Sequence, residues 1–230
     1  LDRRLASGWL LTLSYTFSKA IVWADNSDSS MFFNTPSAFA RNRALAGYDR
    51  PHNFQSSFVV ELPFGRGKRW LNRPGLWSVL AGGWQVNGIF SAYTGTPFTV
   101  TSSGASLNAP GNSQVADLVK PRVAKLGGVG PGQSYFDPFA FRSVTEPRFG
   151  TAGLKILRGP GFVQLDGGLF RELYGRERWR VQLRAEAFNV TNTPHFGNPG
   201  ANVSNMIVNP DGTIRSLGGY TEITTASGER

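Results

Sequence analysis

The sequence contains no cysteine. That excludes a disulfide-stapled small domain, a thiolate metal site and a cysteine nucleophile. Charge is also scarce: 17% of the 230 residues are charged, where soluble domains usually carry roughly 25%. No stretch comes near the run of about 18 apolar residues that a membrane-spanning helix requires. Histidine occurs twice, at His52 and His195, each directly after a proline. Zinc needs several convergent ligands, and no H-E-x-x-H spacing is present, so no metal is expected. There is no G-x-S-x-G elbow and no complete phosphate-binding glycine motif. Gly65-Arg66-Gly67-Lys68 lacks the Walker spacing and reads as a turn. Asp166 and Glu186 fall in different strands, with nothing to mark them as a catalytic pair. The expectation is a protein without catalytic residues, metal or cofactor, and hence not an enzyme.

Aromatic residues, by contrast, make up 13% of the chain, beside 28 glycines and 14 prolines. Disordered chains lack aromatics, and Gly and Pro are the poorest helix formers. Many short strands joined by Gly/Pro/Asn turns fit this composition best. The net charge is +9, but the basic residues are spread out. Their densest run, Arg66, Lys68, Arg69 and Arg73, reads as a solvated turn beside a membrane, and no nucleic-acid partner is expected.

Hydrophobicity alternates with period two in five places, the mark of extended strands. From Trp9 to Ser18, Trp9, Leu11, Leu13, Tyr15 and Phe17 alternate with Thr12, Ser14, Thr16 and Ser18, and the pattern extends toward Ile21 and Trp23. In Asn53–Leu62, Phe54, Phe58, Val60 and Leu62 share a face with Ser56. From Trp84, the residues Val86, Gly88, Phe90 and Ala92 alternate with Gln85, Asn87, Ile89, Ser91 and Tyr93. In Phe162–Arg171, Val163, Leu165, Gly167 and Leu169 alternate with Gln164, Asp166, Gly168 and Phe170. In the fifth, Trp179, Val181, Leu183, Ala185 and Ala187 oppose Arg180, Gln182, Arg184 and Glu186. A sixth strand is expected near Gly219 to Thr225.

Alternation alone does not separate a soluble sandwich from a membrane barrel, whose apolar face meets lipid. The connections do more. Long stretches at 19–51, 99–161 and 191–220 alternate with shorter ones at 63–82 and 172–178. Outer-membrane barrels show this asymmetry, with short periplasmic turns and long extracellular loops. If the long connections face outward, Trp9, Trp84 and Trp179 each open an outward-running strand on its apolar face. They then form an aromatic girdle at the inner interface. Trp70, Trp77 and Tyr174 fall in the shorter connections on that side, and Trp23 near the outer interface. The stretch 99–134, rich in Gly, Pro and Asn, reads as loop. Five or six strands leave an open edge that lipid cannot satisfy, so a membrane reading requires a larger barrel.

Several short stretches carry a family resemblance. They are Leu13-Ser14-Tyr15-Thr16-Phe17-Ser18-Lys19-Ala20, Tyr48-Asp49-Arg50-Pro51-His52-Asn53-Phe54 and Glu61-Leu62-Pro63-Phe64-Gly65-Arg66-Gly67-Lys68. Gly82-Gly83-Trp84-Gln85-Val86-Asn87-Gly88, Tyr93-Thr94-Gly95-Thr96-Pro97-Phe98 and Leu157-Arg158-Gly159-Pro160-Gly161 follow. The last is Arg184-Ala185-Glu186-Ala187-Phe188-Asn189-Val190-Thr191-Asn192. In this order the chain resembles the C-terminal barrel region of TonB-dependent outer-membrane receptors, in particular the Oar-like group with an N-terminal carboxypeptidase-regulatory-like domain. The resemblance implies a barrel of about 22 strands around a plug, driven by the TonB–ExbB–ExbD complex. Residues 1–230 are expected to be the C-terminal part of it, with the plug and a final strand ending in an aromatic lying outside them.

The fold expected is therefore all-β: an antiparallel up-and-down transmembrane β-barrel, present in part, in the bacterial outer membrane. Its expected partners are membrane lipid, the TonB complex through the plug, and an extracellular solute such as a siderophore, glycan or peptide. Arg180, Gln182, Arg184 and Glu186 face the lumen, either to contact plug or solute or to form cross-strand ion pairs along a wet wall. Loops 19–51 and 99–161 are the better ground for solute capture, because binding residues concentrate on loops held by a rigid scaffold. Two alternatives stand beside this reading: a soluble carbohydrate-binding or adhesive β-sandwich, and a passive porin-like barrel.

Overall fold

The computed structural model describes residues 2–5, 8–24, 32–109, 111–174 and 180–226. Its largest element is a six-stranded antiparallel sheet. The strands are β1 (Asp2–Leu5), β2 (Trp9–Phe17), β3 (His52–Glu61), β4 (Trp84–Tyr93), β5 (Phe162–Tyr174) and β6 (Arg180–Ala187). Each pairs with its neighbours in chain order, an up-and-down meander. A six-residue helix, α1 (Leu76–Ala81), lies in the connection between β3 and β4. No helix among the described residues is long and apolar enough to cross a membrane.

Register converts the alternation into two faces. Trp9 stands opposite Val60, Val60 opposite Val86, Val86 opposite Leu169, and Leu169 opposite Ala185. Leu13, Ser56, Phe90 and Leu165 form a second row on the same side. The opposite face carries Ser14, Gln55, Ser91 and Gln164 in one row and Thr12, Ser57, Ile89 and Asp166 in another. A slip of one residue anywhere would exchange these faces, so the apolar set fixes the pairing. The apolar face is uncovered: Tyr15 and Phe17 are 60% and 68% exposed.

One glycine on this face is required by its neighbour. Phe58 and Gly88 pair directly, and the Phe58 ring lies over the glycine where any side chain would collide with it. The ring covers the backbone that the glycine leaves bare and pins the register there.

A second compact unit is drawn from Ser18–Pro51, Thr94–Gly161 and Pro194–Arg230. It has its own core of Phe33, Val100, Val115, Ala116, Ala140, Phe141, Ala152, Val203 and Tyr220. Short ladders brace it: Ile21–Val22 with Ala44–Leu45, Pro97–Phe98 with Leu157–Arg158, Thr101–Ser103 with Ser113–Val115, and Asp117–Leu118 with Phe141–Arg142. Ile207–Val208 pairs with Ile214–Ser216.

A half-buried ion pair and a cation–π contact help to tie it together. Arg148 grips Asp117 through two hydrogen bonds of 2.8 Å, and the Thr151 amide adds a third at 3.1 Å. The Arg148 guanidinium holds the Asp117 carboxyl below its ordinary range, and its own pKa rises in return. Arg41 stacks 4.1 Å from the Phe33 ring centre and donates to the Ala152 carbonyl at 3.2 Å.

Three expectations are corrected. The alternation of β2 stops at Phe17, because the Ser18 amide turns to the Pro51 carbonyl at 3.1 Å and Ile21–Val22 pairs elsewhere. Gly219 to Thr225 is not a strand: Gly218, Gly219 and Thr221 all have positive φ, which breaks an extended run. The sixth strand of the sheet is instead Asp2–Leu5, which pairs with β2, and Gly8 just before β2 has φ 86°. The region 99–134 is not open loop either, since Val100, Val115 and Ala116 are core residues.

Candidate functional site: the polar wall of the sheet

The polar face of β3 to β6 presents Asn53, Gln55, Ser57, Gln85, Asn87, Ser91, Gln164, Asp166, Gln182, Arg184 and Glu186. Most are uncharged hydrogen-bonding groups, as a surface that meets water needs. An open concavity of about 300 Å³ lies at its centre, lined by Ser57, Asn87, Asp166, Gly168, Glu186 and Phe188 among others.

Asp166 organises that centre. Its carboxylate accepts two hydrogen bonds from the Gln164 amide, at 2.8 and 2.9 Å, and one from the Asn189 backbone N–H at 2.8 Å. The last bond fastens the turn after β6, where Asn189 and Asn192 adopt positive φ. Asn189 closes the turn by donating to the Thr193 carbonyl at 2.9 Å and accepting from the Thr193 amide at 3.0 Å. Sequence reading missed this role for Asp166. The available signal was an acid inside a strand, flanked by Gly167-Gly168, where a loose charge is uncommon.

The lumen set of β6 is only partly described. The Arg184 Nε donates to Glu186 at 2.8 Å, and its guanidinium lies 5.0 Å from the centre of the Phe170 ring on β5. The ion pair thus runs along one strand rather than across two, because the positions facing Arg184 and Glu186 on β5 are Phe170 and Gly168. Gln182 faces Glu172. The side chain of Arg180 lies outside the described residues.

Trp9 and Trp84 sit at one end of the sheet on the apolar face, and Trp179 lies outside the described residues. Trp84 is displaced two residues from the row of Trp9, across two strand spacings. At ~3.4 Å per residue and ~4.8 Å per strand, a line through them crosses the rows at about 35°. The Trp84 indole N–H donates to the Leu80 carbonyl at 2.9 Å. At the other end of the sheet, the Tyr15 hydroxyl and His52 Nδ1 share a hydrogen bond of 2.8 Å.

In the second unit, Trp23 and Phe39 stack 5.6 Å apart and are 48% and 43% exposed. Two of the resemblance-bearing stretches, far apart in sequence, meet at one contact, between the buried Asp49 and Arg158. The Arg158 guanidinium also reaches the carbonyls of Asp49 at 2.8 Å and Gly95 at 3.2 Å, and Asp49 accepts the Ala20 amide at 2.6 Å.

Residues 1–229 match the family described as outer membrane beta barrel domain, and the chain belongs to that family. No curated protein and no solved structure matches it. The protein is thus a mostly β, antiparallel outer-membrane barrel domain of the bacterial outer membrane. Family membership decides what alternation could not: the apolar face of the sheet meets lipid and the polar face lines the interior.

Proposed function

We propose that this chain is the C-terminal part of the barrel of a TonB-dependent receptor of the Oar-like group. It contributes to capture and import of a solute, by gated passage and without covalent chemistry. The observation that carries this reading is the second unit. Three long connections, all leaving the sheet at the end of Phe17, His52, Tyr93 and Phe162, pack around a common core. With the long connections on the extracellular side, packed loops of that kind suit capture of a solute, because binding residues concentrate on loops held by a scaffold. The exposed Trp23–Phe39 stack offers an apolar surface for such a solute.

Trp9, Trp84 and Trp179 are assigned to an aromatic girdle. The 35° offset of Trp84 from Trp9 supports this, because barrel strands tilt about 35–45° and that tilt brings the two to one depth. Arg184, Glu186 and Gln182 are assigned to the water-facing wall against the plug. The edges of β1 and β6 are assigned to pairing with further strands, since an open edge in lipid leaves backbone groups unsatisfied.

The test is conductance. The purified parent protein in a planar bilayer is expected to stay closed and to open only when the plug is removed or denatured. A steady ohmic pore in the untreated protein sinks the energy-coupled reading and leaves a porin-like barrel. Site-specific photo-crosslinking in cells is expected to yield an adduct between the parent protein and TonB.

A further inference from the structure

The connection between β3 and β4 is built against the usual rule for a helix on a protein. An amphipathic helix turns its apolar side to the core. In α1, Leu76, Trp77, Val79 and Leu80 are 69%, 72%, 63% and 51% exposed, while the polar Ser78 is the buried residue. Ser78 packs where Gly65 and Gly82 bring their backbones together, and its carbonyl accepts the Gly82 amide at 3.1 Å. Trp70 and Leu71, just before the helix, are 50% and 45% exposed.

This turn is held in place rather than loose. Arg171 of β5 donates to the Leu80 carbonyl at 2.8 Å and to the Val79 carbonyl, and its guanidinium lies 5.6 Å from the centre of the Trp84 ring. Arg171 and Trp84 are direct partners on the lipid-facing side of the sheet. The apolar surface of α1 is therefore anchored to the Trp84 end of the lipid-facing surface. The same connection carries Arg66, Arg69 and Arg73, all exposed, while Lys68 is engaged with Glu61 at 2.6 Å.

We propose that residues 66–80 form a lipid-docking turn. Trp70, Leu76, Trp77, Val79 and Leu80 enter the headgroup–acyl boundary, and Arg66, Arg69 and Arg73 bind the phosphates of anionic phospholipid. Two observations name this occupant over a protein partner. The surface continues a lipid-facing one, and its apolar residues come with three exposed cations, the pairing by which interfacial segments hold anionic lipid. The choice of the phospholipid leaflet rests on the long connections facing outward, as proposed above.

The test uses the whole parent protein reconstituted in phosphatidylcholine vesicles containing some phosphatidylglycerol, with bromine on the acyl chains of one lipid or the other. The difference between wild type and Trp77→Phe isolates the Trp77 emission. Brominated phosphatidylglycerol is expected to quench it several-fold more than brominated phosphatidylcholine at equal mole fraction. In R66Q/R69Q/R73Q the preference is expected to vanish while the barrel still inserts. Equal quenching by the two lipids in the wild type overturns the proposal, as does quenching by neither. A loss of quenching as protein density rises, which a second copy covering the turn would cause, also overturns it.

Orientation is read separately. Gly75 has extended backbone, and no atom lies within 4 Å of where its side chain would start, so Gly75→Cys in a cysteine-free background is expected to fold. An impermeant maleimide is expected to label it only after the outer membrane is permeabilised. Labelling of intact cells overturns the orientation and the choice of leaflet. Protection in intact cells with unselective quenching overturns lipid docking alone.

Discussion

Asp49 and Arg158 stand 109 residues apart in sequence, yet the Asp49 carboxylate is fully buried and closed off by the Arg158 guanidinium. Removing either partner leaves the other with its charge or its donors uncompensated. Arg158→Met is expected to destabilise the protein by about 3–5 kcal/mol, the usual cost of breaking a buried pair from one side. Urea unfolding of the detergent-solubilised protein measures it. The double variant D49A/R158M is expected to recover part of the loss, and strict additivity of the two single changes would sink the pairing.

Asp117 sets an acid limit. Its folded pKa is depressed below the ordinary 3.8, first by the hydrogen bond from Arg148. A depressed carboxyl contributes stability that is complete above its unfolded pKa and is lost as pH falls through the folded one. The second unit is expected to loosen as pH drops below that ordinary value. Thermal melts of wild type and Asp117→Asn across this range should converge at the acid end and separate above it.

Tyr220 sets an alkaline limit by the opposite sign. Burial pushes its hydroxyl above the ordinary 10.0, with a further push from the Asp137 charge. Stability from the neutral phenol is complete below its unfolded pKa and is lost as pH rises through the folded one. Absorbance at the phenolate band is expected to show this tyrosine ionising only on unfolding. In Tyr220→Phe the alkaline fall in melting temperature should be smaller.

The two faces of β2 are expected to respond differently to one change. Leu13→Arg places a cation toward lipid near the middle of its strand and is expected to cost roughly 2–4 kcal/mol, reducing folded protein in the outer membrane. Ser14→Arg points to water and is expected to insert normally. Heat-modifiability on gels compares them, and equal yields would refute the assignment of faces.

Five of the six strands were legible from alternation, with ends displaced by only a few residues. Period two is a local signal, and β2 to β6 display it because one face meets lipid and the other water. Strand β1 was not legible: Asp2-Arg3-Arg4-Leu5 is too short and too charged to alternate, and only pairing with β2 makes it a strand. The second unit was invisible for another reason. Its core residues Phe33, Val100, Phe141 and Tyr220 sit singly among Gly, Pro and Asn, and nothing local says that they meet. The polar wall was legible as a face, but Asp166 holding the Asn189 turn was not, because that contact spans a hairpin.

The core of the second unit takes Phe33 from the first long connection, Val100 to Ala152 from the second, and Val203 and Tyr220 from the third. A hairpin separates each contributor from the next: β3–β4, then β5–β6. The core therefore cannot close until both hairpins have returned the chain to the same side. A skipped or slipped hairpin strands one contributor, leaving Phe33 or Tyr220 in water for proteases to find. Packing among the connections thus depends on both hairpins being in place, because it joins three distant parts of the chain.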